Sequence, residues 1–265
     1  LLDRFRPMLL PRHLNDIYLG LLFAERLRWV LLGLEKNMLP KLKKELLSLL
    51  FIRRGRHMEK LTCCELQRLE RALLFAGRIE FKNKEYKNID FSVTKIHKGE
   101  YDHCRFINCN FENSHISKFE FVEVEFIDCN FSNANIKETA FKEVRFYKCK
   151  MIGLRFHECD PFLLQFSFKE CQLSFSSFFQ LKIPSTQFIS CNLQEVDFTE
   201  TILTTSVFDC CDLKGAIFDS SNLEKSDFRT AFNFTINPEN NKLKGGKYRK
   251  ENISGLLNNY KILIE

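Results

Sequence analysis

Eleven cysteines and six histidines are the residues of this chain with the most chemistry to offer. Thiolates bind soft metals, form disulfides, or act as nucleophiles when a base sits beside them. Each use needs several groups brought to one point. The spacing here does the opposite. Cys109, Cys129 and Cys149 are 20 residues apart, and so are Cys171, Cys191 and Cys211. Structural zinc sites draw on close pairs such as Cys-x-x-Cys, four ligands to one ion. Cys104 and Cys109 are five apart, while Cys63-Cys64 and Cys210-Cys211 are direct neighbours, a poor geometry for joint chelation. Thiols stacked along an axis have parallel Cβ vectors, which hold the Cβ atoms too far apart for a disulfide. The cysteines therefore read as small apolar core residues. Among His13, His57, His97, His103, His115 and His157, only His103 adjoins a nucleophile, Cys104, and neighbours on an extended chain point different ways. No Gly-rich phosphate loop is present; Gly245-Gly246 is a turn signal. No carboxylate pair stands out as an acid–base couple. The sequence thus designates no catalytic, cofactor-binding or metal-binding residue and reads as non-enzymatic.

The elements that position these cysteines follow from a second regularity. Phe occurs 28 times, against 6 Tyr and 1 Trp. From Phe81, every fifth residue is apolar through Phe156. After a two-residue slip within 157–162 the series resumes at Leu163 and runs every fifth residue to Phe228. A period of five matches neither the helix value of 3.6 nor the strand value of 2. It suits a chain that turns a corner every five residues, with four corners closing a square coil of 20 residues. The cysteines keep the same 20-residue beat, each two residues before a central apolar position. Phe106, Phe126, Phe146, Phe168, Phe188, Phe208 and Phe228 should then stack as one column of rings. Parallel strands repeat at about 4.8 Å, so 30 five-residue units give a rod of roughly 36 Å.

The units Cys-Asn-Phe-Ser-Asn (129–133), Val-Asp-Phe-Thr-Glu (196–200), Cys-Asp-Leu-Lys-Gly (211–215) and Ser-Asn-Leu-Glu-Lys (221–225) resemble pentapeptide repeats. The resemblance covers 79–230 and implies a mainly β fold, a right-handed quadrilateral β-helix. The tail from Asp227 through Asn237-Pro238 resembles the ending of pentapeptide-repeat proteins from Bacteroidetes-type bacteria. Residues 231–265 are expected to form a short helical cap, with Asn237-Pro238 as N-cap and first helical position and a stripe of Ile253, Leu256, Leu257 and Tyr260. This segment reads either as a cover for the last coil or, as related bacterial proteins imply, as a homodimer contact. Residues 1–57 are Leu-rich and basic, with a helical stripe at Leu39, Leu42, Leu46, Leu49 and Leu50. They are expected to lie outside the native domain. Residues 58–78 are expected to form an N-terminal capping helix. The insertion at the slip reads either as a structural irregularity or as a recognition bump.

Charge gives the remaining clue. The net charge is +6, yet residues 1–78 alone carry +8 and residues 79–265 carry −2. The whole is not a basic nucleic-acid binder. No run of 18 apolar residues suits a membrane span. With no export signal and reduced thiols, the chain reads as cytoplasmic. Glu195, Asp197, Glu200, Asp209, Asp212 and Asp219 form the acidic candidate binding surface. Residues 137–155 form a basic belt of six bases against two acids. Two partner readings follow. One is a protein-binding scaffold with an unknown protein partner. The other, implied by the resemblance to quinolone-resistance members of the family, is a DNA mimic that occupies DNA gyrase or topoisomerase IV.

Overall fold

The computed structural model describes residues 79–260 and 262. Contacts divide the chain into two units, 1–78 and 79–265. The helices expected over 1–57 and 58–78 lie outside the described residues.

The second unit is a parallel-strand β-solenoid. Strands β1 (Glu80–Lys82), β3 (Glu100–Asp102), β5 (Glu120–Val122) and β7 (Ala140–Lys142) form one four-stranded sheet, side A. Strands β2 (Glu85–Lys87), β4 (Arg105–Ile107), β6 (Glu125–Ile127), β8 (Val144–Tyr147), β9 (Phe166–Lys169), β10 (Gln187–Ile189) and β11 (Val207–Asp209) form a seven-stranded sheet in that order, side B. The other two sides are held by single parallel bridges. Side C joins Asp90, Asn110, Asn130, Lys150, Gln172, Asn192, Asp212 and Phe232 in file; side D joins Arg155, Ser177, Asp197 and Ile217.

Five residues make one side because of how each position faces. The central residue and the one two before it point inward, and their immediate neighbours point out. The residue two after the centre turns the corner with positive φ, as at Asn108 (51°), Asp128 (53°) and Asn133 (55°). Asn and Asp tolerate this left-handed conformation better than most side chains. Coils are spaced so that identical rings stack. Centroids of Phe106 and Phe126 are 5.0 Å apart with planes at 20°, and those of Phe126 and Phe146 are 5.2 Å apart at 11°. Neighbouring columns meet edge-on, as in Phe126 and Phe131 at 4.9 Å and 88°. Each such contact adds about 0.5–1.5 kcal/mol beyond the burial of the rings.

The inward position two before the centre has its own rule. Cys129 Sγ donates to the Phe106 carbonyl at 3.4 Å, and Cys149 Sγ to the Phe126 carbonyl at 3.3 Å. Cys171 and Cys211 reach the carbonyls of Phe146 and Phe188 in the same way. Thr139, Thr201, Ser221 and Ser226 donate to the equivalent carbonyls elsewhere. A small donor is thus used repeatedly to satisfy a buried carbonyl that would otherwise be costly.

The slip departs from the expected register. Phe156–Glu158 form a single 3-10 turn, and Asp160 still pairs with Ala140. The two extra residues lie between Asp160 and Phe166. Leu163 is not a core residue: it turns a corner at φ 56° and is 64% exposed, as is Phe162. The vacated level is filled by Leu164 and Phe166, both buried, with the Phe166 ring 5.6 Å from Phe141 and 5.3 Å from Phe156. Equivalent positions on side B hold the smaller Cys104, Val124 and Val144.

The far end also differs from expectation. No helix starts at Asn237-Pro238; Asn237 Oδ1 accepts the Glu239 N–H in a local turn, and the chain lays down more coil. Lys242 pairs with Asn222 and Lys247 with Asp227, and Tyr248 stacks on Phe228 at 5.5 Å. The covering element is a 3-10 helix, Lys250–Leu256. Asn252 Nδ2 donates to the Phe228 and Ala231 carbonyls. Gly255 is required by close approach, since a Cβ there would lie 2.4 Å from the Phe234 carbonyl oxygen. Of the expected stripe, Leu256 packs on the core while Ile253 and Tyr260 are exposed.

Candidate functional site

The cysteine column lies inside the coil. Cys109, Cys129, Cys149, Cys171, Cys191 and Cys211 are buried and unoxidised, as are Cys104 and Cys159; Cys210, at a corner, is the exposed cysteine among the described residues. Burial pushes the thiols of Cys149 and Cys159 well up from their ordinary values, which suppresses the reactive thiolate. No cluster of three or more metal-ligating side chains occurs among the described residues. Phe106, Phe126, Phe146, Phe168, Phe188, Phe208 and Phe228 are all buried. One shallow depression, of about 590 Å³, opens near the C-terminal end beside Lys214, Phe232, Asn233 and Asn258; its lining contains neither His nor Cys.

His103 turns a side A corner, with Nδ1 2.6 Å from Asp102 and Nε2 3.1 Å from Glu123. The Asp102 hydrogen bond and the Glu123 charge raise its pKa. Cys104 points the other way, its Sγ donating to the Phe81 carbonyl, so the two adjacent residues form no dyad.

The six acidic candidates do not share one side. Asp209 lies on side B. Asp212 lies on side C, and Glu195 at the corner from C to D. Asp197 and Asp219 lie on side D, with Glu200 at its far corner. Neutral donors hold five of them. Asp212 Oδ2 accepts from Gln194 at 2.6 Å, and Asp209 Oδ1 from Thr230 at 2.6 Å. Glu200 accepts from Gln180 at 2.8 Å, Asp197 from Ser177 at 3.2 Å, and Asp219 from Asn240 at 3.2 Å. Glu195 lies over Gly215, whose missing Cβ leaves room for its carboxylate. None of the ion pairs among the described residues involves these six.

Two apolar residues that sequence reasoning passed over border this acidic edge. Phe175 stands at the C-to-D corner one coil before Glu195 and is 65% exposed; Ile217 follows Asp197 in the side D file and is 51% exposed. The only signal in the sequence was their phase, since both fall off the inward positions. Bases interrupt every side: Lys82, Lys142 and Lys182 on A, Arg105, Arg145 and Lys169 on B, Lys150 and Lys214 on C, Lys137 and Arg155 on D. No unbroken negative face runs along the described coils.

Residues 100–166 match the family described as pentapeptide repeat region. That stretch of the coil is therefore a pentapeptide-repeat region. No curated protein matches it. Among solved structures, trypsin-treated QnrB1, described as a plasmid-mediated fluoroquinolone resistance protein, matches at 12% identity. That match covers 70% of this chain and 100% of that chain, with a TM-score of 0.47. HetL of the cyanobacterium Nostoc sp., a pentapeptide repeat protein involved in heterocyst differentiation regulation, matches at 14% identity. It covers 71% of this chain and 93% of that one, with a TM-score of 0.34. No helix among the described residues is long and apolar enough to cross a membrane.

Proposed function

We propose that this pentapeptide-repeat protein is a non-enzymatic scaffold that binds a protein partner along the edge where sides C and D meet. The observation that carries this reading is the company of Glu195 and Asp197. Among the described residues their charges have no cationic partner, and Phe175 and Ile217 stand exposed beside them. A solenoid has no packing use for outward apolar side chains on a coil already closed, and exposed apolar surface next to charge is a mark of a contact site. The partner that fits is a protein surface with basic side chains around an apolar recess. A rigid repeat scaffold presents such a patch with little ordering cost.

The test is site-specific photocrosslinking in the source cell, from position 175 and, as control, from position 82 on side A. An adduct of defined mass from 175 alone, abolished by Asp197→Lys, is the expected result. Equal labelling from both positions, or none from 175, overturns the reading. A duplex mimic needs a continuous negative face, and the six acids are split over three sides. The purified full chain is therefore expected to leave gyrase supercoiling unchanged at micromolar concentration.

A further inference from the structure

Side B carries a pattern independent of the C–D edge. The register Glu85↔Arg105↔Glu125↔Arg145 places four outward charges in one file, with signs that alternate from strand to strand. Arg105 contacts Glu85 at 3.2 Å and Glu125 at 3.1 Å, and Arg145 contacts Glu125 at 3.4 Å. The parallel file on the same sheet is Lys87, Ile107, Ile127 and Tyr147, again in register. Both isoleucines and Tyr147 are half-buried, on a face that no other described residue covers with a further layer.

An alternating file of four charges has a particular symmetry. Turn a second copy over about a two-fold axis that lies in the sheet plane, perpendicular to the strand stack, midway between β4 and β6. Glu85 then meets Arg145 of the other copy, and Arg105 meets Glu125; each charge faces its opposite. The same operation sets Ile107 against Ile127 and Lys87 against the Tyr147 ring. Shifting the copies by one strand sets like charges together. We propose that side B is a self-complementary surface on which two copies of this chain pair antiparallel, centred between β4 and β6.

The area sets the strength. Four strands at about 4.8 Å and five residues at about 3.4 Å give roughly 300 Å² per copy. Stable interfaces bury about 800 Å² per partner. The pairing is therefore a weak, salt-sensitive one, populated at high-micromolar concentrations and above.

Charge swaps test it, read by sedimentation equilibrium of the full chain at low and high salt. Arg105→Glu alone and Glu125→Arg alone each set like charges opposite one another in a homodimer, and each should weaken association at least tenfold. An equimolar mixture of the two restores all four opposite pairs and should associate as the parent does. Circular dichroism on each variant establishes that the coil is intact. Recovery in the mixture cannot come from a merely structural effect, because each variant's own file stays damaged. The proposal is overturned if the parent stays monomeric at millimolar concentration. It is equally overturned if the variants associate undiminished, as an end-to-end pairing through 231–265 would, or if the mixture fails to recover.

Discussion

Replacing Phe166 with valine makes the sequence more regular and should make the protein less stable. The equivalent positions of side B hold Cys104, Val124, Val144, Thr186, Ser206 and Ser226, so the repeat itself favours a small residue there, and valine is the aliphatic one it uses. At the slip, however, Leu163 has swung out, and Phe166 occupies the level it leaves, within 5.6 Å of Phe141, 5.3 Å of Phe156 and 5.5 Å of Phe168. Valine is smaller by roughly 50 Å³, and an unfilled cavity costs about 24 cal/mol per Å³, which gives about 1.2 kcal/mol. The apolar area no longer buried, roughly 50 Å² at about 25 cal/mol per Å², adds a similar amount. Phe166→Val should thus lose about 2.5 kcal/mol, or roughly 5–10 °C in Tm for a unit of this size. Thermal and urea unfolding followed by circular dichroism measure it. The opposite change at the regular level, Val124→Phe, forces a ring between Phe121 and Phe126 and should cost about 1–3 kcal/mol by overpacking. A Phe166→Val variant within about 0.5 kcal/mol of the parent would refute the plug and return Leu163 to the core.

The thiol-to-carbonyl bonds predict that Cys149→Ala loses about 1 kcal/mol in urea unfolding, while Cys149→Ser, which keeps a donor toward the Phe126 carbonyl, loses less. Alkylation mapped by mass spectrometry should label Cys210 first among the nine described cysteines, and equal labelling of Cys149 would contradict its burial. His103 should titrate above the ordinary histidine midpoint of about 6.5 by NMR. Because its folded pKa is raised, its pairing with Asp102 and Glu123 stabilises fully below the unfolded value and fades as pH rises through the folded one. The parent's advantage over His103→Asn, which keeps a corner-tolerant residue, should therefore be present in mild acid and gone in mild base; a gap that does not change with pH would count against the pair.

Much of the coil was readable from spacing alone, since a five-residue period with a 20-residue beat has few geometric solutions. The Phe106-to-Phe228 column and the inward cysteines follow from phase. Two features escaped that reading. Leu163 is apolar and correctly phased on paper, yet two added residues lengthen the path between Asp160 and Phe166, and the chain resolves the excess by turning Leu163 outward and drawing Phe166 in. The coil also continues past Thr230: Asn233 and Pro238 interrupt the run of apolar centres, yet Leu243 and Tyr248 return to the five-residue phase and pack on the core.

The acidic surface shows the same division. Its six carboxylates are adjacent in sequence, but a chain that turns every five residues sends neighbours to different sides, so Asp209 parts from Asp197 and Glu195 gains Phe175 as a companion. Conversely, Glu85, Arg105, Glu125 and Arg145 are far apart in sequence and become one alternating file only when strands stack in register. Composition and period determine which side chains face inward, because burial of apolar area answers to local phase. What shares an outer face is decided by stacking between coils, because that contact joins residues a whole turn apart and depends on where each insertion is absorbed.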